Sequence, residues 1–197
     1  MKCVGFLTLA AVLLLISNAW SQSPGSPIPE EKRIVPGQRI GNWSLESTID
    51  ELKMAIDGPY ENGPPDQLYS PSPAPRFVPG MIVHRWKLSS GTYARQLRAG
   101  SLDGRKIEYL EIDDESFRAG AQRPAPGPGS LKDSVVQFLG PPTSATPYTE
   151  GGSLTLLVYD RTGLAISIGC FAIGNSRSCN ANWFAIFRPG AARSIWR

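Results

Sequence analysis

Residues 48–59, TIDELKMAIDGP, align without a gap with residues 130–141, SLKDSVVQFLGP, and this pair organises the rest of the sequence. Each stretch opens with a hydroxyl residue, a favoured helix N-cap, and carries a carboxylate three residues later, Glu51 or Asp133. Each closes with Gly and Pro, because Gly adopts the left-handed conformation that ends a helix and Pro cannot continue it. The pair therefore predicts two short helices with defined ends.

Both predicted helices carry a single apolar stripe, in which the apolar residues recur at three- and four-residue spacing. The stripe consists of Ile49, Leu52 and Ile56 in the first helix, and of Leu131, Val135, Phe138 and Leu139 in the second. A stripe of this kind must be buried, so each helix is expected to cover one face of a sheet.

Strand-like segments follow each helix and are separated by Gly-containing turns. They are residues 81–88, 92–98 and 105–112 after the first helix, and residues 154–159, 164–169 and 183–188 after the second. A loop at 171–182, bracketed by two cysteines, is predicted to join the last two. We therefore predict an α+β fold of two tandem helix-plus-three-strand (αβββ) repeats, which form an antiparallel sheet with the helices on one face.

The N-terminal segment predicts export. Lys2 precedes an apolar run at residues 4–16, and Ala19-Trp20-Ser21 is the small-residue ending that signal peptidase prefers. An uncleaved signal anchor is the alternative, but the run is shorter than the roughly 20 residues that cross a bilayer. Cys3 lies before the apolar run, where it cannot serve as a lipoprotein cysteine. We expect a cleaved signal peptide at residues 1–21, no membrane anchor, and a periplasmic or secreted protein.

Prolines mark the remaining divisions of the chain, because they exclude helix interiors and central strands. The predicted units are a flexible leader at 22–33, a first repeat at 34–120 with a Pro-rich insertion at 59–80, a Pro/Gly linker at 121–129, a second repeat at 130–190, and a tail at 191–197.

The charge of the chain bears on the class of partner that it can bind. Lys and Arg exceed Asp and Glu by only 20 to 17, and the excess is scattered, which argues against a nucleic-acid partner.

Cys170 and Cys179 are the two cysteines that follow the predicted signal peptide. In an oxidising compartment such a pair predicts one disulfide; free thiols or metal ligands are the alternatives, but no His lies nearby.

These features resemble the repeat of the beta-lactamase-inhibitor-protein fold, shared with the BamE-like (SmpA/OmlA) envelope proteins, over most of residues 34–190. The matching residues are Thr48, Glu51, Gly58, Pro59, Trp86, Gly91, Asp103, Gly104, Arg105, Ile107 and Leu110, and then Ser130, Asp133, Gly140, Pro141, Tyr159, Gly163, Trp183 and Ile186. A tandem pair is more similar to the two-repeat inhibitors than to the single-repeat, lipid-anchored branch. The resemblance implies an antiparallel sheet with one face free to meet another protein.

Residues that could carry chemistry are few. His84, the only histidine, alternates with apolar residues on a predicted strand, which favours a buried structural role, and no G-x-S-x-G motif is present. The one acidic cluster indicates an exposed strand end rather than a calcium loop, because it lacks the required Gly turn. That cluster consists of Glu108, Glu111, Asp113, Asp114 and Glu115. We predict no catalytic residue, no metal and no cofactor.

Basic and aromatic residues on the strands of the first predicted repeat are the candidate partner-binding set. The alternative interpretation is that they are ordinary solvent-exposed strand positions. They are Arg85, Lys87, Tyr93, Arg95 and Tyr109. We predict an exported, non-enzymatic module of the bacterial envelope or medium that binds a partner protein through the open face of its sheet. An envelope hydrolase or small-molecule-binding protein around His84 is the alternative, and a purely structural stabiliser is a third possibility.

Overall fold

A computed structural model describes residues 25–69, 72–89, 95–174 and 176–197. These residues form two antiparallel sheets. The smaller sheet contains β1 (Ile34–Val35), β2 (Arg39–Ile40) and β3 (Trp43–Ser44). The larger contains β4 (Tyr60–Gly63), β5 (Ile82–Lys87), β6 (Gln96–Ser101), β7 (Tyr109–Ile112), β8 (Ser144–Pro147), β9 (Leu154–Tyr159), β10 (Leu164–Ile173) and β11 (Ser176–Phe187). The helices are α1 (Ile49–Ala55), α2 (Pro65–Leu68) and α3 (Lys132–Leu139).

The prediction of two tandem αβββ repeats is wrong. The chain is mostly sheet, with 40% strand and 17% helix, and the strands of the larger sheet are ordered β4-β5-β6-β7-β11-β10-β9-β8. Both outer strands of this sheet and the whole three-stranded sheet were missed. The outer strands β4 and β8 are largely exposed, so they carry no apolar alternation that would reveal them.

Helix α1 begins as predicted. The Glu51 amide donates to Thr48 Oγ1 over 3.2 Å, and the Thr48 amide donates to Glu51 Oε2 over 2.7 Å, which completes a capping box. The helix nevertheless ends at Ala55, before Gly58. Gly58 instead allows the backbone to pass close to Lys87. A Cβ at this position would lie 2.6 Å from the carbonyl oxygen of Lys87.

Helix α3 departs further from the prediction. It begins at Lys132, so its N-cap residue is Leu131, which has no side-chain acceptor, and not Ser130 as predicted. Ser130 Oγ instead accepts a hydrogen bond from the Gly127 amide over 3.0 Å. Val135 is buried, whereas Leu131 and Phe138 are 56% and 49% exposed. The helix ends at Leu139, and Gly140 follows it as the C-cap residue with φ of 80°, as the sequence predicts.

The larger sheet is covered differently on its two faces. On the face we call the helix face, Trp86, Leu110 and Phe184 pack in one core with the buried residues of α1 and α3. On the second face, Tyr109 and Phe187 belong to another core. Its cover is supplied by the Pro-rich segment (residues 64–81) and the C-terminal segment (residues 191–197), which are joined where the Val78 amide donates to the Ile195 carbonyl over 3.0 Å. The second face is therefore only partly open.

The cysteine pair forms the predicted disulfide. Cys170 and Cys179 lie opposite each other in β10 and β11, so the expected loop at 171–182 is instead the outer part of a long hairpin. Pairing of β10 with β9 ends at Gly169, and the disulfide lies just beyond that point.

The predicted signal peptide at residues 1–21 lies outside the described residues. Residues 25–33, the described part of the predicted leader, contact the segment before α3, where the Ile28 amide donates to the Ala121 carbonyl over 3.0 Å. Among the described helices, none combines the length and the apolar character needed to cross a membrane.

Candidate functional site: the second face of the sheet

Two of the predicted partner-binding residues lie together at the β4–β5 edge of the second face. Arg85 pairs with Glu61 and donates through Nη1 to the Leu68 carbonyl over 2.8 Å. Lys87 Nζ lies 3.4 Å from the same Glu61 carboxylate. The side chains of Arg85 and Glu61 hydrogen-bond, and this contact, more than the Coulomb attraction, lowers the pKa of Glu61. Both cations thus already contact the same carboxylate within the chain.

The other members of the predicted set are not brought to the same place. Tyr109 is 0% exposed beneath the Pro-rich segment, where its ring stacks on Phe77 at 5.4 Å between centroids. The Arg95 side chain is 57% exposed, and its Nη1 lies 3.4 Å from Asp114 Oδ1. Tyr93 lies outside the described residues. A partner can reach Arg95 directly, but it can reach Tyr109 only if the Pro-rich segment moves.

A row of charged residues crosses the second face from β4 to β7. The strand registers place Glu61 opposite Arg85, Arg85 opposite Arg98, and Arg98 opposite Glu111. Arg98 Nη1 donates to one oxygen of Glu111, and the Tyr69 hydroxyl donates to the other. The Arg98 guanidinium also lies 4.7 Å from the centre of the Tyr69 ring. These contacts attach the Pro-rich segment to the sheet.

Burial governs the ionisation of this network. It raises the pKa of Glu111, and the Arg98 guanidinium only partly offsets that rise. Burial and the neighbouring Glu111 together raise the pKa of Tyr69 well above its usual range, so Tyr69 stays protonated and donates. Because Arg98 and Glu111 are also buried, the network suits a structural role better than substrate binding. Sequence reasoning missed Tyr69, although a charged residue in the middle of a buried strand signals that a partner is needed.

His84 lies at the same edge on the opposite, helix face, between two hydroxyl groups. Its Nδ1 is 2.8 Å from the Tyr60 hydroxyl, and its Nε2 is 3.1 Å from Ser101 Oγ. Burial, and secondarily the charge of Lys53, lower the pKa of His84 to about 4. His84 and Ser101 are 2% and 0% exposed, so a substrate cannot approach them in this conformation.

The residues of the acidic cluster contact different partners and do not form one site. Glu111 faces Arg98, Asp113 accepts from the Gln96 amide, and Asp114 accepts from the Ser116 amide. Glu108 Oε2 lies 4.0 Å from Arg188 Nη1. Within the described ranges, no three His, Cys, Asp or Glu side chains are grouped so that they could hold a metal ion.

A cleft of about 130 Å³ opens on the second face between β8–β9 and the C-terminal segment. Buried side chains of Leu156, Val158 and Trp196 line it, together with half-buried Tyr148. The Tyr148 hydroxyl is fixed by a 2.6 Å hydrogen bond to Ser167 Oγ. The sheet therefore presents a preformed apolar and aromatic recess here.

Three exposed arginines, Arg76, Arg193 and Arg197, also line this recess, which we call the arginine cleft. The Arg197 amide donates to the Arg76 carbonyl over 2.7 Å, which holds the Pro-rich and C-terminal segments side by side. A larger groove of about 830 Å³ along the Pro-rich segment shares Pro75, Arg76 and Arg197 with the cleft. The two cavities are therefore neighbours on one surface.

The arginine cleft could not be foreseen from the sequence, because its lining comes from residues 75–76, 144–158 and 192–197. Comparison of the chain with protein-family models, with curated proteins and with solved structures finds no match. The resemblance to the inhibitor-protein fold therefore stays a prediction.

Proposed function

We propose that this protein is an exported binding module that holds a partner protein against the second face of its sheet, at the arginine cleft. The observation that carries the proposal is the meeting of Trp196, Tyr148 and three exposed arginines around one recess. Trp, Tyr and Arg are the residues that contribute most of the energy at protein interfaces, particularly when they surround a pocket. This location replaces Arg85, Lys87 and Tyr109 as the favoured contact surface, because those residues are paired or buried within the chain.

Two further features support export. The N-terminal sequence has the pattern of a signal peptide. The Cys170–Cys179 disulfide is typical of proteins that work in an oxidising compartment. The proposal therefore concerns a partner in the envelope or the medium.

Filling the cleft tests the proposal. Ser144 lies exposed at the cleft, so Ser144→Trp should obstruct it without disturbing the core. Ser134, exposed on α3, allows the matched substitution Ser134→Trp away from the cleft. We expect wild type and Ser134→Trp to capture the same envelope protein in equal amounts, and Ser144→Trp to capture at least about tenfold less, as expected when the centre of an interface is obstructed. Equal capture by all three would contradict the proposal.

The surroundings of His84 support a hydrolase as a second candidate, because a serine and an imidazole lie within hydrogen-bonding distance there. Reaction requires an accessible Ser101, so a fluorophosphonate probe distinguishes the candidates. A binding module should remain unlabelled at Ser101. Labelling that disappears in Ser101→Ala would favour the hydrolase.

A further inference from the structure

We infer that the arginine cleft binds an acidic peptide segment of the partner, in which carboxylate side chains flank an apolar one. The inference rests on the proposed function and adds the chemistry of the ligand. Its basis is the position of three exposed arginines around one apolar recess.

Six of the described arginines have a carboxylate partner within the chain. They are Arg33, Arg39, Arg85, Arg95, Arg98 and Arg188, each of which lies within 4.0 Å of a carboxylate. For Arg76, Arg193 and Arg197, no such contact exists among the residues that the structure describes. The undescribed stretches contain no Asp or Glu that could supply one.

Three guanidinium groups around one recess create a positive potential at that place. A guanidinium forms paired hydrogen bonds with a carboxylate, so carboxylates are the protein groups that fit this lining best. The one acidic residue that lines either cavity is Asp66, and it belongs to the larger groove rather than to the cleft. The cleft is therefore complementary to negative charge.

The interior of the cleft indicates which side chain of the peptide lies between the carboxylates. Leu156, Val158 and Trp196 offer an apolar surface, and about 130 Å³ is the volume of roughly four water molecules, which suits one side chain. We therefore expect the ligand to place one apolar side chain in the cleft.

A peptide fits these features better than a nucleic acid does. The larger groove continues from the cleft past Arg76 and is lined by prolines and by Phe77, a surface suited to an extended chain. A phosphate backbone would need a longer row of cations, and the chain's excess of cations is small. Nucleic acid remains an outcome that the experiment can return.

The test uses a fluorescein-labelled peptide of alternating Glu and Phe residues and measures its binding to the purified chain by fluorescence anisotropy. Arg76→Glu/Arg193→Glu/Arg197→Glu should weaken binding by at least about tenfold, because three charge contacts are reversed. The triple Arg→Gln variant at the same positions should also weaken binding, and it guards against a folding defect of the reversed protein. Circular dichroism verifies that each variant is folded.

The matched control is Arg105→Glu/Arg123→Glu/Arg177→Glu, which changes net charge equally at exposed sites that do not line the cleft. It should bind the peptide within about twofold of wild type, since distant surface charges are screened by salt. Equal weakening by both triple variants would overturn the inference, as would equal binding of a Lys-Phe peptide or tighter binding of a thymidine oligonucleotide.

Failure of this inference is distinguishable from failure of the proposed function. If Ser144→Trp abolishes capture of the partner while the Arg→Glu triple variant captures normally, the cleft is the docking surface but its ligand is not acidic. If neither change affects capture, the proposed function itself fails.

Discussion

At the residue scale, the molecule contains two polar networks with different degrees of predictability. The sequence predicts that His84 is buried, because it alternates with apolar residues. Its hydroxyl partners could not be predicted, because Tyr60 and Ser101 come from strands on either side of it. Similarly, strand alternation suggests that Arg98 and Glu111 need partners, but their pairing follows from the β6–β7 register, which no local pattern specifies.

His84 should remain neutral down to low pH. As the chain's only histidine, it gives a single imidazole signal in NMR, and we expect that signal to titrate near pH 4. Because the unfolded imidazole binds its proton near pH 6.5, the free energy of unfolding should fall by up to about 3 kcal/mol between roughly pH 6.5 and 4. A titration midpoint near 6.5 would show that the imidazole is not desolvated. Lys53 and Asp50 act on the same ring in opposite directions, so Lys53→Gln should raise the midpoint slightly.

Glu111→Leu should destabilise the fold by about 3–5 kcal/mol, because it leaves the buried Arg98 guanidinium without its carboxylate. The nearest alternative acid, Asp113, lies 3.9 Å away, beyond hydrogen-bonding distance. Adding Arg98→Met should recover most of the loss, since an apolar pair leaves no buried charge. Urea unfolding of the two variants and wild type measures this. If the double variant is no more stable than Glu111→Leu, the unpaired charge of Arg98 is not the cause of the destabilisation.

At the element scale, the sequence predicts elements with buried patterns and misses those without them. The bounds predicted for β9 are exact, and the capping box of α1 is present. The edge strands β4 and β8 were missed because their residues are mostly exposed and one contains Pro147. The predicted loop between the cysteines is strand because β10 and β11 continue to pair beyond the sheet.

The disulfide belongs to this scale, because it closes the outer end of one hairpin. The bridged cysteines are nine residues apart, and a loop of that length predicts a stabilisation of about 2–3 kcal/mol from restriction of the unfolded chain. Reduction should therefore lower the urea midpoint and speed hydrogen exchange in residues 170–179, but not in β5–β7. The oxidised chain should also gain two hydrogens in mass on reduction. An unchanged mass would contradict the pairing, and an unchanged midpoint would contradict its stabilising role.

At the scale of the whole molecule, the fold brings distant segments together on the second face. The Pro-rich segment covers the β4–β7 half and is attached by Tyr69 to the Arg98–Glu111 pair, which removes Tyr109 from the surface. The C-terminal segment reaches the other half and leaves the arginine cleft beside β8 and β9. The sequence therefore predicts a binding sheet but not where its exposed surface lies, because that depends on which segments cover it.

The claim that the arginine cleft is the docking surface is tested most directly by site-specific photo-cross-linking. A benzophenone side chain replaces Thr146, which lines the cleft, or Met54, which is 81% exposed on α1 on the helix face. Both variants are incubated with the same envelope extract and irradiated. We predict that Thr146 cross-links one specific protein and that Met54 does not. A partner that cross-links from Met54 and not from Thr146 would contradict the account.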